Sequence, residues 1–213
     1  MKAKWQQAGI EGEQEALPFW LVMFSGMTLY FFCCEMLAPA PMMVTSVPNY
    51  VKKIKFPLAV LPIVNLLVGI ATACMFLLIL FIAVAAVGSL HWWILFTPLV
   101  FMQAALWCLG LSWLLGAAGV FIRDLQQIVP FALQLLLFAT PIFYPAKAVP
   151  EQFQFVLHCN PLAFLVETFR NLVLWGQPPQ WGPFAAWTAA SALCAYVGYR
   201  IFQQLRRSFS DVM

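Results

Sequence analysis

The longest charge-free run of the chain covers residues 56 to 122, between Lys55 and Arg123, and contains no Asp, Glu, Lys or Arg. A membrane span needs about 20 mainly apolar residues, so this run is long enough for two spans and a turn. Pumps driven by protons or sodium keep ionisable residues at membrane depth. A run without such charges therefore argues against ion coupling in these two spans.

The composition of the whole chain agrees with this run. The chain is 63% hydrophobic and 9% charged, whereas soluble domains are about 25% charged. We therefore predict an all-α, polytopic membrane protein with a single domain over residues 1–213, and nucleic-acid binding has no support. The six cysteines form no CxxC pair, so neither a metal site nor a disulfide framework is expected. Five spans are predicted, at about residues 17–37, 58–87, 92–122, 125–144 and 184–202.

The basic residues predict the orientation of these spans. One set of loops carries seven Lys and Arg residues: Lys52, Lys53, Lys55, Arg123, Arg200, Arg206 and Arg207. The other set carries four: Lys2, Lys4, Lys147 and Arg170. The positive-inside rule places the first set, and with it the C-terminus, in the cytoplasm. The polar N-terminus would then lie outside without a signal sequence, so we expect an earlier span to be missing; a genuine five-span protein is the alternative.

The segment 145–183 is predicted to lie outside, and it is unusual for a loop. It is apolar in part and is interrupted by prolines at positions 150, 161, 178 and 179. We expect one or two short helices that dip back into the membrane, with Leu162 to Trp175 as an amphipathic helix. Because irregular backbone persists at membrane depth only against protein or a water-filled cavity, this segment should line or cap something.

Two candidate sites fall in the predicted cytoplasmic loops. Arg123 and Asp124 form the second inner turn, which is either a helix cap or part of a partner interface. The first inner loop is either a surface that docks a partner or an anchor for lipid headgroups. Its candidate residues are Tyr50, Lys52, Lys53, Lys55, Phe56 and Pro57.

Two further candidates lie on the predicted outer side. Pro141, Phe143 and Tyr144 close the fourth span, either as the hinge of a gate or as an ordinary span terminus. Glu167 and Arg170 are three residues apart, so they can face each other on a helix. They form either a local ion pair or a polar lining at the exit of a pathway.

The sequence also lacks several catalytic motifs. It contains no Gly-x-x-x-x-Gly-Lys phosphate loop, no nucleophile elbow and no His cluster with metal-ligand spacing. ATP hydrolysis by the phosphate-loop route would therefore need another chain.

Five motifs in order resemble the ABC-2 type permeases. They are "VPNYVKKIKFPLAVLP", "GVFIRDLQQIVP", "LLLFATPIFYPAKAVPE", "CNPLAFLVETFRNLVLWGQPP" and "LRRSFSDVM". Within that family the chain is similar to the branch that exports lipid-linked O-antigen, capsular polysaccharide or teichoic acid, and the resemblance covers about residues 18–213. The family has six spans preceded by an amphipathic cytoplasmic helix. From the resemblance we expect that helix and the first span to be missing here, so that Met1 would fall in the first outer loop.

The resemblance implies roles for the candidate residues. Tyr50 to Pro57 would be the loop that couples to an ATPase subunit, and Arg123 and Asp124 the second cytoplasmic loop. The outer gate would comprise Pro141, Phe143, Tyr144, Pro150, Asn160, Pro161, Glu167 and Arg170. No cofactor is expected in this chain, because ATP and Mg²⁺ would bind the partner ATPase. The expected assembly contains two permeases and two ATPases in the bacterial inner membrane, with membrane lipids around it and a lipid-linked glycan as cargo.

Three other functions remain open from the sequence. One is an ABC-2 exporter of a drug or small lipid. Another is a membrane-embedded enzyme that acts on a lipid-linked sugar, with His158, Glu167 and Arg170 as its polar site. The third is a non-catalytic assembly subunit. The enzyme would turn over without ATP, which separates it from the exporters.

Overall fold

The computed structural model describes residues 17–47, 57–144, 149–150, 154–155, 157 and 160–209. These residues form six α-helices and no strand, which confirms the predicted all-α class. The helices are α1 (Phe19–Leu37), α2 (Leu61–Ala86), α3 (Thr97–Phe121), α4 (Leu125–Ala139), α5 (Pro161–Val173) and α6 (Trp181–Leu205). Short 3-10 helices occur at Ala40–Met42, Leu58–Val60, Trp92–Phe96 and Arg206–Ser208.

Three helical segments of the described chain are both long and apolar enough to cross a membrane: Phe19–Met42, Leu58–Ala86 and Trp92–Phe121. The second and third are the two halves of the charge-free run, as predicted. Prolines near the start of α2 and α3 fit positions where the backbone N–H has no partner within the helix. Large apolar side chains of α2, such as Leu67, Met75 and Ile82, are exposed, as expected for a surface in contact with lipid.

The fourth and fifth predicted spans differ from the structure. Helix α4 ends at Ala139 instead of continuing to residue 144, because Pro141 disfavours helical backbone at Thr140. Its 15 residues extend only about 22 Å, less than the hydrocarbon thickness of about 30 Å. Helix α6 has 25 residues but is less apolar than the three segments above and ends in polar residues. The number of five spans therefore stays a prediction.

Helices α3 and α6 cross at closely packed glycines. A Cβ atom added to Gly110 of α3 would lie 2.6 Å from the carbonyl carbon of Cys194 on α6. A Cβ atom added to Gly198 of α6 would overlap the carbonyl oxygen of Gly110. The absence of both side chains allows the two backbones to touch, which is how small residues join helices in membranes.

The helix bundle has two distinct ends. At one end an apolar cluster joins the residues around Ala40, Leu58, Val120 and Phe202. At the other end α5 packs against α1 and α3. There Gly176 adopts a φ of 59° and packs against the ring of His91, where a Cβ atom would collide. Pro57 and the 123–124 turn therefore share one end of the molecule, and α5 lies at the opposite end.

Candidate functional site

Helix α5 is an internal helix of the protein. Within Pro161–Val173, Glu167 is the single exposed position. The predicted helix is present, but it is covered on nearly all sides instead of having one solvated face. Its apolar side chains fill the space between α1 and α3, and Phe169 contacts Phe101 of α3 edge to face at 5.8 Å. This burial shows that the segment packs against protein, while its depth in the membrane stays a prediction.

The N-terminus of α5 is joined to the end of α4. Asn160 caps α5, because its side-chain oxygen accepts a hydrogen bond from the Leu162 N–H at 3.0 Å. Its Nδ2 donates to the Thr140 hydroxyl at 3.1 Å. Thr140 in turn donates to the Leu136 carbonyl at 2.8 Å. Asn160 thus connects the C-terminal end of α4 to the N-terminus of α5.

The C-terminal half of α5 is joined to two other segments by Arg170. This side chain is only 2% exposed. Its Nη1 donates to the Pro141 carbonyl at 2.6 Å and its Nη2 to the Ile142 carbonyl at 2.9 Å. Its Nε and Nη2 also donate to the Val22 carbonyl of α1 at 3.2 and 3.0 Å. A planar guanidinium suits this task, since its donors form a rigid fork.

Gly26 of α1 provides the space for the guanidinium. A Cβ atom at this position would lie 2.9 Å from Nη2 of Arg170 and 3.3 Å from the Ile142 side chain. The Val22 carbonyl also accepts the Ser25 hydroxyl at 2.7 Å. This turn of α1 therefore provides the Val22 carbonyl oxygen as an acceptor for Arg170, and the missing side chain of Gly26 leaves room for the guanidinium.

Two factors act on the pKa of Arg170, namely burial and the nearby carboxylate of Glu167. Burial lowers the pKa of the Arg170 guanidinium to about 10, and the Glu167 carboxylate opposes this shift. The guanidinium therefore remains charged at neutral pH. The effect of Glu167 on this pKa agrees with the predicted proximity of the two side chains. Helical spacing does not reveal the other partners of Arg170, which are backbone carbonyls of other segments.

We use the term α5 latch for Asn160 and Arg170 together with their acceptors in residues 140–142 and Val22. The latch holds three segments that are distant in sequence: α1, the end of α4 and α5. Its groups are an amide, a hydroxyl, a guanidinium and backbone carbonyls. Such groups bind and position other segments, and none of them is a nucleophile or a general base at neutral pH. No cluster of His, Cys, Asp and Glu with metal-binding geometry occurs within the described ranges.

The other predicted outer-gate residues surround the latch. Pro161 is the first residue of α5, where proline is favoured. Phe143 and Tyr144 are half-buried, and the Tyr144 hydroxyl donates to the Phe138 carbonyl at 2.8 Å. Pro150 is exposed. His158, proposed for the enzyme alternative, lies outside the described residues, as does Lys147.

Most of the predicted coupling loop also lies outside the described residues: Tyr50, Lys52, Lys53, Lys55 and Phe56. Pro57 is exposed and precedes the Leu58–Val60 helix. The Trp113 indole N–H of α3 donates to the Ala59 carbonyl at 3.1 Å. This bond ties the start of the second span to α3.

The second predicted cytoplasmic site is an exposed turn. Arg123 and Asp124 lie between α3 and α4, and both are exposed. Asp124 is the N-cap residue of α4, but its side chain forms no capping hydrogen bond. A negative charge at this position still suits the helix dipole. The turn and Pro57 lie at the same end of the bundle, as the sequence predicts.

Sequence reasoning missed three members of the latch, Val22, Thr140 and Ile142, and the neighbouring Gly26. Val22 and Ile142 act through backbone oxygens, which leave no mark in a sequence. A usable signal was Arg170 itself, the one arginine of α5, since a charge that becomes buried requires partners.

Comparison with known proteins places these features in a family. The model of the ABC-2 type transporter family matches residues 3–174. An O-antigen export system permease protein RfbA from Klebsiella pneumoniae is 26% identical over 165 residues, which cover 76% of this chain and 63% of that protein. A permease with the same description from Myxococcus xanthus is 25% identical over 197 residues, which cover 91% of this chain and 75% of that protein. The chain thus spans less than two thirds of the length of the Klebsiella relative.

The family match covers most of the chain, including the charge-free run, the exposed turn at 123–124 and all of the α5 latch. Three described segments have the length and apolar character of membrane spans. This chain is an integral membrane protein and belongs to the ABC-2 type transporter family.

Proposed function

We propose that this chain is the transmembrane permease subunit of an ATP-driven exporter of lipid-linked polysaccharide, of the O-antigen or capsule type. The observation that carries the proposal is its similarity to O-antigen export permeases over most of its length. The cargo would cross the bacterial inner membrane, with the C-terminus of the chain in the cytoplasm. The seven-to-four distribution of basic residues supports this orientation.

The energy source in this proposal is a separate ATPase subunit. The sequence has no phosphate loop of its own. Two ATPase subunits would bind the inner loops of two permease copies, with ATP and Mg²⁺ held by the ATPases. Two copies are proposed because one bundle of this size does not enclose a path wide enough for a glycan.

The separation of the two ends supports a mechanical link between ATPase and gate. The exposed turn at Arg123 and Asp124 and the exposed Pro57 lie at one end of α3, and the α5 latch packs near its other end. Helix α3 has 25 residues and is therefore about 37 Å long. A rigid helix of this length can carry a displacement from one membrane face to the other.

In the proposed mechanism, closure of the ATPase dimer pushes the loop from Tyr50 to Pro57. The spans tilt, and α5 moves relative to α1 and to residues 140–142. The latch bonds of Asn160 and Arg170 would have to break or exchange partners during this movement. Glycan would then pass along a path with few charges, where strong binding sites do not stall a sliding polymer.

Charge reversal in the coupling loop tests this function. We expect the triple variant Lys52→Glu, Lys53→Glu, Lys55→Glu to abolish polysaccharide display in cells that depend on this permease, because the loop would no longer engage its ATPase. The measurement is surface polysaccharide by immunoblot, together with co-purification of the ATPase subunit. Membrane levels of the permease are compared in the same cells.

The matched control reverses Lys2, Lys4 and Lys147, which changes the charge equally at the predicted outer face. This control should keep export. Normal export and normal ATPase association in the first variant would refute the coupling role. Sugar transfer or cleavage by the purified chain without ATP would replace the exporter with the enzyme alternative.

A further inference from the structure

Helices α3 and α6 contact each other through aromatic rings at two levels of the bundle. Just before α3 begins, Phe96 contacts Trp181 of α6 edge to face, with the ring centres 5.9 Å apart. Near the other end of both helices, Trp113 contacts Tyr199 in the same way at 5.3 Å. The two helices therefore run in the same direction, and each aromatic pair marks one level.

The distance between the two levels is close to the thickness of a membrane. Tyr199 follows Trp181 by 18 residues along α6, which is a rise of about 27 Å. Trp113 follows Phe96 by 17 residues, a rise of about 25 Å. The hydrocarbon core of a bilayer is about 30 Å thick. We propose that the two aromatic levels lie at the two lipid headgroup boundaries, so that α6 crosses the bilayer between Trp181 and Tyr199.

Aromatic side chains at both levels are exposed on the outside of the bundle. At the first level Trp181 is 52% exposed, as is 64% of Trp92, whose ring also contacts Phe96. At the second level Tyr196 is 58% and Tyr199 40% exposed. Trp and Tyr combine an apolar ring with a polar N–H or O–H group, which suits the boundary between headgroups and acyl chains. A surface that stacks on sugars needs such rings at one level only, whereas a membrane has two boundaries.

The surface of α6 between the two levels is suited to acyl chains. Residues 182–198 contain no Asp, Glu, Lys or Arg. The exposed positions among them carry Gly, Pro, Ala, Leu, Val and one Tyr. The first charged residue is Arg200, which directly follows Tyr199. A change from apolar to charged residues next to an aromatic side chain is the pattern of a span end.

This placement puts α5 at the depth of the acyl chains. Phe164 of α5 stacks on Trp187 of α6 at 6.1 Å. Trp187 follows Trp181 by six residues, so it lies about 9 Å inside the first boundary. Phe169 of α5 contacts Phe101, which likewise lies inside that boundary on α3. Helix α5 would therefore be a segment that enters the membrane and is covered there by protein.

Quenching of tryptophan fluorescence by brominated lipids tests the first boundary. The purified full-length chain is reconstituted in phosphatidylcholine vesicles whose acyl chains carry bromine either near the headgroups or near the bilayer centre. Trp92→Phe and Trp181→Phe should each remove mainly the quenching by the shallow bromine. Trp107→Phe is the matched control, since Trp107 is half-buried on α3 between the two levels. It should remove mainly the quenching by the deep bromine.

Two added tryptophans test the second boundary. Tyr199→Trp should add shallow quenching, whereas Leu193→Trp, six residues closer to the bilayer centre, should add deep quenching. The same depth profile for Trp92, Trp181 and Trp107, or for the two added tryptophans, would overturn the proposal. It would also fall if Trp92 and Trp181 were quenched by acrylamide in water but by neither lipid. This test needs neither ATP nor cargo, so its outcome is independent of the proposed function.

Discussion

At the scale of single residues, Arg170 is a charged side chain that is almost completely buried. A buried charge is costly unless it is hydrogen-bonded, and Arg170 meets this condition by donating to the carbonyls of Val22, Pro141 and Ile142. Two of these carbonyls belong to a segment that has just left helix α4, so they lack helical partners. Arg170 thus donates hydrogen bonds to buried backbone carbonyls just beyond the C-terminal end of α4.

Substitution of Arg170 should destabilise the protein. We expect Arg170→Gln to cost about 3 kcal/mol, because it leaves buried carbonyls without donors. Arg170→Lys should be intermediate, since an ammonium keeps the charge but lacks the planar fork. Thermal unfolding of the purified protein in detergent measures the effect.

The control for this measurement is Arg123→Gln, which changes an exposed arginine in a turn. It should unfold within about 0.5 kcal/mol of the unmodified chain. If Arg170→Gln and Arg123→Gln unfolded at the same temperature, the α5 latch would contribute nothing to stability.

At the scale of helices, the contact between α3 and α6 depends on glycine. Gly110 and Gly198 bring the two backbones together, and no flexible side chain at this crossing is available to absorb an added methyl group. Trp113 and Tyr199 lie further along the same pair of helices. The position of α6 therefore depends on this crossing.

Gly198→Ala should separate α3 from α6. The new methyl group would collide with the Gly110 carbonyl oxygen, and overpacking of this kind costs about 1–3 kcal/mol of unfolding free energy.

Gly69→Ala in α2 is the matched control, since its Cβ would make ordinary contacts of 3.4 Å with Met36 and Phe32. It should be neutral or slightly stabilising, because alanine favours helix over glycine. Equal thermal unfolding of the two variants would contradict the close crossing.

At the scale of the whole molecule, the sequence predicted the parts that depend on hydrophobicity. The charge-free run does form two long apolar helices, and the segment that is predicted to lie outside does contain a helix near Leu162 to Trp175. The predicted end of the fourth span at residue 144 was too late, because Pro141 stops α4 at Ala139. The α5 latch was predictable only in part: Asn160 and Arg170 are recognisable, but their backbone acceptors come from long-range packing.

The central claim is that this chain passes lipid-linked glycan through a membrane when an ATPase acts on it. The most direct measurement is glycan transport into sealed vesicles that contain the purified permease and its ATPase subunit, followed by protection of the glycan from an added glycosidase. The account predicts protected glycan that accumulates only with hydrolysable ATP and only when both subunits are present. Accumulation without ATP, or ATP hydrolysis by the intact complex with no protected glycan, would contradict it.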